Sequence, residues 1–465
     1  MMDTVQSTEA KLYRIILFGS HGAELLVLPK NGRLHLPTVQ MPGHQRFAQD
    51  LTSSLRFDWL QETVRLFSLD SDQRESECRY EVMQSCALRP SHTPGSCWAS
   101  IASAAESDFE DTADHTAIAK ANAECQAYAV GRKYGPFARL GWFFELTDWI
   151  RDEIRRLGLS LSGRFSQLNA SPTFNLIRFE TDGPAVWFKA VGAPNQREYP
   201  LTLALGRLFC RFVPEVIAAR PEWNGWLAKE AEGSLLHECC GPASWKSAAR
   251  DLAELQIHSL GRSLHLVEVG ARDLRAHALS DRVEPFFQAA GELMDRQTKT
   301  SPPAISRKEL GSLTARVHYA LDGLEETDFP VALGHLDINP GNIVCSSVGS
   351  LFLDWAEAFV GHPFLTFQYL LEHFRRAFGQ DHPGETGLTD SYTAPWRSFV
   401  SPTPIRSALG LAPLVAAFAY AAGNDLWTDS RRIQDNRAAG YLRALTRRMD
   451  RDARALLERS LPCPS

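Results

Sequence analysis

Apolar residues recur along this chain with two different spacings, which predict strands in some stretches and helices in others. Near the N-terminus, runs rich in branched apolar residues predict strands at residues 12–18, 24–28 and 80–83. Residues 47–67 between them have a mostly helical pattern. We therefore expect a small α+β unit over roughly residues 10–105.

The composition changes twice after this unit. Residues 91–121 are rich in Ser, Ala and acidic side chains, which is typical of a solvated connector. Aromatic residues then return, and residues 142–150 place apolar side chains on one face of a helix. We interpret this helix as one that docks two domains together.

The remainder of the chain predicts a group of strands followed by a mostly helical region. Strand patterns occur at residues 164–168, 175–180, 185–191, 216–219 and 226–229. Helical patterns occur at residues 201–212, 244–260, 273–294, 307–321, 364–378 and 405–461. Residues 379–392 have the composition of a loop, which we expect to form a lid or a rim of the substrate site.

One stretch, residues 331–367, concentrates polar residues suited to phosphoryl transfer. His335, Asp337 and Asn342 have the spacing H-x-D-x-x-x-x-N, and a short apolar strand ends at Asp354. Pro340 and Gly341 favour a loop. Two apolar runs around a small polar turn then predict a hairpin that brings Asn342 and Asp354 to the same end. A carboxylate here can accept a hydroxyl proton, and the two other oxygen donors suit Mg²⁺.

This stretch resembles the aminoglycoside phosphotransferase and choline kinase family, whose motifs read H-G-D-x-x-x-x-N and I-D-W or I-D-F. The resemblance implies that Asp337 is the catalytic base, that Asn342 and Asp354 bind the metal, and that His335 supports the loop. Two residues depart from the pattern. Leu336 replaces a frequent Gly, and Thr366 stands where an Asp often follows the Gly-x-Pro segment.

The predicted sheet supplies candidates for phosphate binding. Lys189 lies on the third strand, and a lysine ammonium suits contact with nucleotide phosphates. The resemblance supports this role and implies an ion pair with Glu198, although Glu180 and Glu215 are also near in sequence. The loop at residues 169–173 would cover the phosphates. It contains no glycine, and the Ser171 hydroxyl is its candidate phosphate contact.

The resemblance covers about residues 160–460 and implies a two-lobed, protein-kinase-like α+β fold with a small antiparallel sheet lobe. We divide the chain into a small α+β domain with its connector and docking helix (1–155), a sheet lobe (156–232) and a helical lobe (233–465). The start of the chain faintly resembles a Nudix domain. Its helix has Glu62 as the only glutamate, where a Nudix hydrolase requires several, so we interpret this domain as structural or regulatory.

Composition restricts the environment and the partners. The net charge of −6 argues against a general nucleic-acid binder. The nine cysteines are odd in number and lack C-x-x-C spacing, which favours a reducing, cytoplasmic compartment. The N-terminus lacks a signal-peptide pattern, and no apolar run approaches the ~20 residues that span a bilayer, so we expect no membrane partner.

These observations predict a small-molecule phosphotransferase. It would use ATP or GTP with Mg²⁺ and would phosphorylate a hydroxyl-bearing small molecule. The first alternative is a nucleotide-binding or regulatory module without turnover, which the glycine-free loop favours. A second alternative is a protein kinase, against which the chain lacks an activation loop that ends in A-P-E.

Overall fold

The structure, a computed structural model, describes residues 11–41, 46–69, 79–87, 95–423, 427–429 and 432–460. The chain divides into two compact units. The first unit contains residues 1–199 and 215–230, and the second contains residues 200–214 and 231–465. The division into three domains stays a prediction.

The first unit begins with a seven-stranded sheet and one helix. The strands are β1 (Lys11–Phe18), β2 (Glu24–Lys30), β3 (Arg33–His35), β4 (Thr38–Met41), β5 (Thr63–Leu69), β6 (Arg79–Ser85) and β7 (Cys97–Ser100). The main path runs β3-β2-β1-β6-β5, with β1 and β6 parallel and the other pairs antiparallel. The strands predicted at residues 12–18, 24–28 and 80–83 are confirmed.

The helix predicted over residues 47–67 is only partly correct. Helix α1 (Phe47–Trp59) ends where Leu60 adopts a left-handed conformation with φ of 52°. Strand β5 follows and pairs with β6; it contains Thr63, Val64 and Phe67. Branched and aromatic residues in this segment favour a strand once a neighbouring strand is available.

The solvated connector predicted at residues 91–121 is wrong for residues 95–121, and residues 91–94 lie outside the described residues. Strand β7 pairs with β2, and helix α2 (Thr112–Ala129) follows. The Asp111 side chain caps α2 by accepting from the N–H of Ala113. Arg14 lies 2.7 Å from Asp111 and 2.5 Å from the buried Asp114. Asp111 and Asp114 therefore bind Arg14 of β1, whereas Glu106 and Glu110 are exposed to solvent.

The second part of the first unit is a five-stranded antiparallel sheet, as predicted. Its strands are β8 (Leu161–Ala170), β9 (Asn175–Thr181), β10 (Val186–Ala190), β11 (Val216–Arg220) and β12 (Gly225–Lys229). Their order is β11-β12-β10-β9-β8. Helix α3 (Trp142–Arg155) precedes this sheet, and helix α4 (Glu198–Leu208) follows β10.

One apolar core joins the two sheets of the first unit. It includes Phe18 and Val64 from the first sheet and Phe179 and Phe188 from the second. The apolar face of α3, including Trp142, lies in the same core. The predicted helix at residues 142–150 is thus confirmed, and its aromatic face is buried because both sheets contribute side chains to it.

The second unit is mostly helical. Its helices are α5 (Pro242–His258), α6 (Ser263–Glu268), α7 (Ala276–Asp295), α8 (Arg307–Glu325), α9 (Phe364–Phe378), α10 (Gly384–Trp396), α11 (Pro402–Gly423) and α12 (Asn436–Ser460). Its short strands are β13 (Ser234–Leu235), β14 (Arg272–Leu274), β15 (Ala332–His335), β16 (Ile343–Ser346), β17 (Gly349–Phe352) and β18 (Ala358–Gly361). They form two three-stranded sheets, β13-β16-β17 and β14-β18-β15. With these elements the α+β class is confirmed.

The loop predicted at residues 379–392 is wrong from residue 384 onward. Helix α10 occupies this segment, and it buries Leu388, Tyr392 and Trp396 at helical spacing. Because most residues of this segment are small or polar, the helical spacing of these three apolar residues was not recognised in the sequence. The helix predicted at residues 273–294 also begins later, because Arg272–Leu274 pairs with β18 as a strand.

Helix α11 is long and apolar enough to cross a membrane, judged by length and composition among the described residues. In this structure 67% of its most apolar 18-residue window is buried inside the protein. A core helix of a folded unit satisfies the same two criteria, so burial accounts for its composition.

Candidate functional site

His335 lies at the end of β15, buried, and its two ring nitrogens connect the candidate loop to the hairpin. Nδ1 accepts from the N–H of Asp337 at 3.1 Å. The proton therefore resides on Nε2, which donates to the carbonyl of Leu353 at 2.9 Å. The ring also packs beside Trp355, with centroids 4.9 Å apart. His335 thus fixes the backbone on both sides of the site.

The next residue of the site, Asp337, is exposed. Each of its carboxylate oxygens accepts a hydrogen bond from a side-chain amide. Asn339 donates to Oδ1 at 3.0 Å, and Asn342 donates to Oδ2 at 3.3 Å. The same Asn342 nitrogen donates to the main-chain carbonyl of Asp337 at 3.0 Å. The carboxylate is therefore held in one orientation while it remains open to solvent.

The hairpin predicted between Asn342 and Asp354 is confirmed. Strands β16 and β17 pair in antiparallel register, with Ile343 opposite Phe352. Just outside this pair, the N–H of Leu353 donates to the carbonyl of Asn342 at 2.8 Å. Asn342 and Asp354 therefore lie at the same end of the hairpin.

Asp354 has left-handed backbone angles, φ 59° and ψ 66°. Among residues with a side chain, Asp and Asn adopt this region most readily. The chain turns here from β17 into the short helical turn at Trp355–Glu357. The Asp354 side chain is exposed at this turn.

The donors at this end of the hairpin fit Mg²⁺. The Asn342 amide nitrogen points to Asp337, which leaves its Oδ1 as an acceptor, and Asp354 contributes a carboxylate. Mg²⁺ in nucleotide sites is commonly held by one or two protein oxygens together with phosphates and water. Among the described residues, no group of three or more His, Cys, Asp or Glu side chains forms a metal site. The small donor set therefore suits a metal shared with a nucleotide.

Two supporting residues were not predicted from the sequence. The buried Thr366 accepts the N–H of His335 on its Oγ1 at 2.9 Å. Asn339 caps the turn that follows, because its Oδ1 accepts from the N–H of Gly341 at 2.9 Å. The Asn-Pro-Gly run is the signal that identifies Asn339. The hydroxyl of Thr366 thus supports the loop in place of the carboxylate usual in the family.

Tyr420 and Tyr441 form a second group near Asp337 that the sequence did not indicate. Their ring centroids are 6.5 Å apart, and the rings meet edge to face. Burial raises the pKa of both phenols, and the charge of Asp337 adds to the rise. Both come from helices α11 and α12, far along the chain, so only the fold reveals their proximity.

Lys189 lies on β10 in the first unit, opposite Leu176 and Trp226. Its Nζ is 2.5 Å from Oε1 of Glu198, and the two side chains are 14% and 2% exposed. Glu180 instead pairs with Arg164 at 2.7 Å. Of the candidate partners, Glu198 is therefore the one that the structure brings to Lys189.

Ser171 lies in the turn between β8 and β9, where its hydroxyl serves the turn itself. Oγ accepts from the N–H of Phe174 at 3.0 Å and from that of Thr173 at 3.4 Å. The carbonyl of Pro172 accepts from the N–H of Phe137 at 3.1 Å. The predicted phosphate loop is thus a closed turn held by the N-terminal part of the first unit.

Part of the chain matches a known protein family. Residues 196–392 match the model of the phosphotransferase enzyme family, APH, a range that includes Glu198 and the whole 335–354 segment. Lys189 and Ser171 lie outside the matched residues. No curated protein matches the chain significantly.

Several solved structures are similar to this chain at low sequence identity. A macrolide 2′-phosphotransferase from Brachybacterium faecium is 15% identical, with 64% of this chain and 98% of that chain covered and a TM-score of 0.42. A choline kinase from Cryptosporidium parvum is 12% identical, with coverage of 68% and 97% and a TM-score of 0.45. The GDP and kanamycin complex of APH(2")-IIia is 14% identical, with coverage of 65% and 98% and a TM-score of 0.42.

The five-stranded antiparallel sheet, the mostly helical second unit and the family match agree with the predicted protein-kinase-like α+β class, which is confirmed. The structural matches cover about two-thirds of the chain. The resemblance predicted from the sequence is also confirmed, because residues 196–392 match the model of the phosphotransferase enzyme family.

Proposed function

We propose that this chain transfers the γ-phosphate of ATP or GTP to a hydroxyl of a small molecule. The observation that supports it most directly is the exposed Asp337 carboxylate, with each oxygen held by an asparagine amide. This carboxylate lies in the segment that matches a phosphotransferase family.

Asp337 would orient the acceptor hydroxyl and accept its proton. A carboxylate with fixed orientation requires little rearrangement when the acceptor arrives, and such positioning is a main source of rate in phosphoryl transfer. His335 and Thr366 act on Asp337 only through the backbone, because His335 accepts the N–H of Asp337 and Thr366 accepts the N–H of His335. They are therefore positioning residues.

Asn342 Oδ1 and the Asp354 carboxylate would hold Mg²⁺, which when bound neutralises charge on the nucleotide phosphates. In the first unit, Glu198 holds the Lys189 ammonium in place, and this cation would contact the phosphates. The Ser171 oxygen accepts two backbone N–H groups within its turn, and a contact between its O–H and phosphate stays a prediction from the sequence.

The test is thermal stabilisation of wild type and Asp354→Asn by ATP or GTP, with and without Mg²⁺. Asparagine adopts left-handed backbone angles readily, so the variant removes the charge with little backbone strain. We expect Mg²⁺-dependent stabilisation in wild type and its loss in the variant. Equal Mg²⁺-dependent stabilisation of both proteins would contradict Asp354 as a metal ligand.

A nucleotide-binding module without turnover is the second candidate, and the closed β8–β9 turn favours it. Transfer of labelled γ-phosphate to a panel of hydroxyl-bearing small molecules separates the two candidates. The proposed function requires wild type to exceed Asp337→Asn with at least one acceptor. Stabilisation by nucleotide together with equal, background-level transfer by both proteins would favour the module.

A further inference from the structure

A cavity of about 250 Å³ in the first unit is lined by helix α2, by strands β2 and β7, and by the segment that joins β7 to α2. Large apolar side chains form part of its wall, namely Leu25, Ile101, Phe109 and Ile118. An engineered apolar cavity of about 150 Å³ is large enough to bind benzene. The larger cavity here therefore suffices for a flat molecule of two fused rings.

Helix α2 also directs polar side chains into this cavity, those of His115, Asn122 and Gln126. They share one face of the helix, because Gln126 lies one turn after Asn122 and His115 lies two turns before it. Gln126 is exposed, and the other two residues are partly exposed. None of the three side chains hydrogen-bonds to another described residue, and none has a polar atom shut off from solvent. A ligand can therefore reach hydrogen-bonding groups that the fold leaves unused.

The chemistry of the wall restricts the class of ligand. Of the described residues that line the cavity, none is Asp, Glu, Lys or Arg, so a charged ligand would have no counter-ion. Each carboxamide presents a donor and an acceptor side by side, and this pair matches the N6 amino group and N7 of adenine. Guanine is typically recognised by Arg or Lys and cytosine by Asp or Glu, and the wall lacks these side chains.

The His115 ring supplies a surface for stacking. It packs beside the buried Phe109, with ring centroids 5.8 Å apart, and this contact restricts its orientation. Aromatic side chains, histidine included, stack on unpaired bases in nucleic-acid-binding proteins. A partly exposed ring of restricted orientation at the cavity wall can hold the face of a base in the same way.

We propose that this cavity binds a neutral adenine compound, the free base or its nucleoside, with a carboxamide of α2 at the N6–N7 edge and the His115 ring against the base. The site goes beyond the proposed phosphotransferase function and does not depend on it. None of the residues in the wall is assigned to phosphoryl transfer.

The experiment titrates the full chain, labelled with ¹⁵N-histidine, with 9-methyladenine and, separately, with its 7-deaza analogue. The methyl group fixes N7 as an acceptor, and the analogue keeps the shape of the base but replaces N7 with C–H. Of the 14 histidines, the signal of His115 is identified by its absence in His115→Ala. We expect 9-methyladenine to shift the His115 signal saturably and to bind about five- to tenfold more tightly than the analogue.

An unchanged His115 signal up to the solubility limit of 9-methyladenine would overturn the proposal, as would equal affinities for the two bases. Titrations with adenosine and AMP distinguish the sources of the base. A higher affinity for adenosine than for 9-methyladenine would identify the nucleoside, and a lower affinity would identify the free base. AMP should bind no more tightly than adenosine, and tighter binding of AMP would overturn the assignment to a neutral ligand.

A double variant, Asn122→Ala with Gln126→Ala, tests the carboxamides directly. Alanine is the best helix former, so α2 should persist in this variant. The preference for 9-methyladenine over its analogue should disappear, and a retained preference would overturn the proposal. Thr116→Ala changes the same helix outside the cavity wall and is the control. It should keep the preference, and its loss there would overturn the assignment to this wall.

Discussion

Two hairpins, one in each unit, carry the polar residues that the sequence associates with phosphate, and they use those residues differently. In the 335–354 segment of the second unit, asparagine amides hold an exposed carboxylate. In the β8–β9 hairpin of the first unit, the Ser171 hydroxyl accepts backbone N–H groups and closes the turn. A polar side chain in a turn is a better candidate for a catalytic or binding role when other side chains orient it. It is a weaker candidate when its hydrogen bonds go to the backbone of its own turn.

The comparison predicts that substitutions in the 335–354 segment reduce turnover more than stability. Asp337→Asn should lower phosphate transfer by about 10²- to 10⁴-fold, because the amide cannot accept the acceptor proton. Its free energy of unfolding should change little, since residue 337 is exposed. The measurement is initial-rate transfer alongside urea unfolding. Wild-type transfer by Asp337→Asn would reject Asp337 as the base.

Substitution of the ion pair in the first unit should reduce stability more than substitution of Asp337 does, in addition to any loss of turnover. Lys189→Met removes the cation beside Glu198, a carboxylate that is 2% exposed, and should cost about 3–5 kcal/mol in urea unfolding. The matched double variant Lys189→Met with Glu198→Gln should recover most of this loss, because it also removes the buried charge. A single variant as stable as wild type would show that the pair contributes nothing to the fold.

Substitutions of Thr366 test whether the loop that contains Asp337 depends on a single buried hydroxyl. Thr366→Val keeps the side-chain shape but leaves the N–H of His335 without its acceptor, and should cost about 1–3 kcal/mol. Thr366→Ser retains the oxygen and is the control. Equal unfolding free energies for the Val and Ser variants would indicate that the hydroxyl does not support the loop.

The smallest effect is expected at Ser171. Ser171→Ala removes the acceptor for two backbone N–H groups and should cost about 0.5–1.5 kcal/mol of stability. The KM for nucleotide should stay within about twofold of wild type, because the side-chain oxygen is engaged in the turn. A tenfold rise in KM without loss of stability would return Ser171 to the phosphate site.

The turn and the hairpin of the 335–354 segment were predicted correctly, because the spacing of its polar residues and its turn-forming residues indicate the same structure. Pro340 and Gly341 specify the turn, and the apolar runs specify the hairpin register. Tyr420 and Tyr441 could not be predicted, since they come from helices far along the chain, and the hydrogen bond from His335 to the Thr366 hydroxyl is visible only in the fold. The sequence alone did not decide whether Glu198 or Glu180 pairs with Lys189. The structure decides it, because Glu180 pairs with Arg164.

The N-terminal part was predicted less well, for a related reason. The acidic residues near position 111 have the composition of a solvated linker, and only their pairing with Arg14 shows a structural role. Residues 63–67 follow a helix without a strong breaking residue, and the neighbouring strand β6 decides their conformation. Localisation in the cytoplasm and the three-domain division stay predictions.

The shared core of the first unit has a practical consequence for handling this protein. A chain shortened to begin at residue 156 would retain every residue of the family match. It would nevertheless lose Phe143, which stacks 4.5 Å from Phe165 and 6.0 Å from Phe179, and Phe137, 6.0 Å from Phe188. One face of the remaining sheet would then expose a patch of aromatic rings to water, and such patches promote aggregation. We therefore expect a chain that begins at residue 156 to aggregate, and recombinant production should keep the N-terminal region in place.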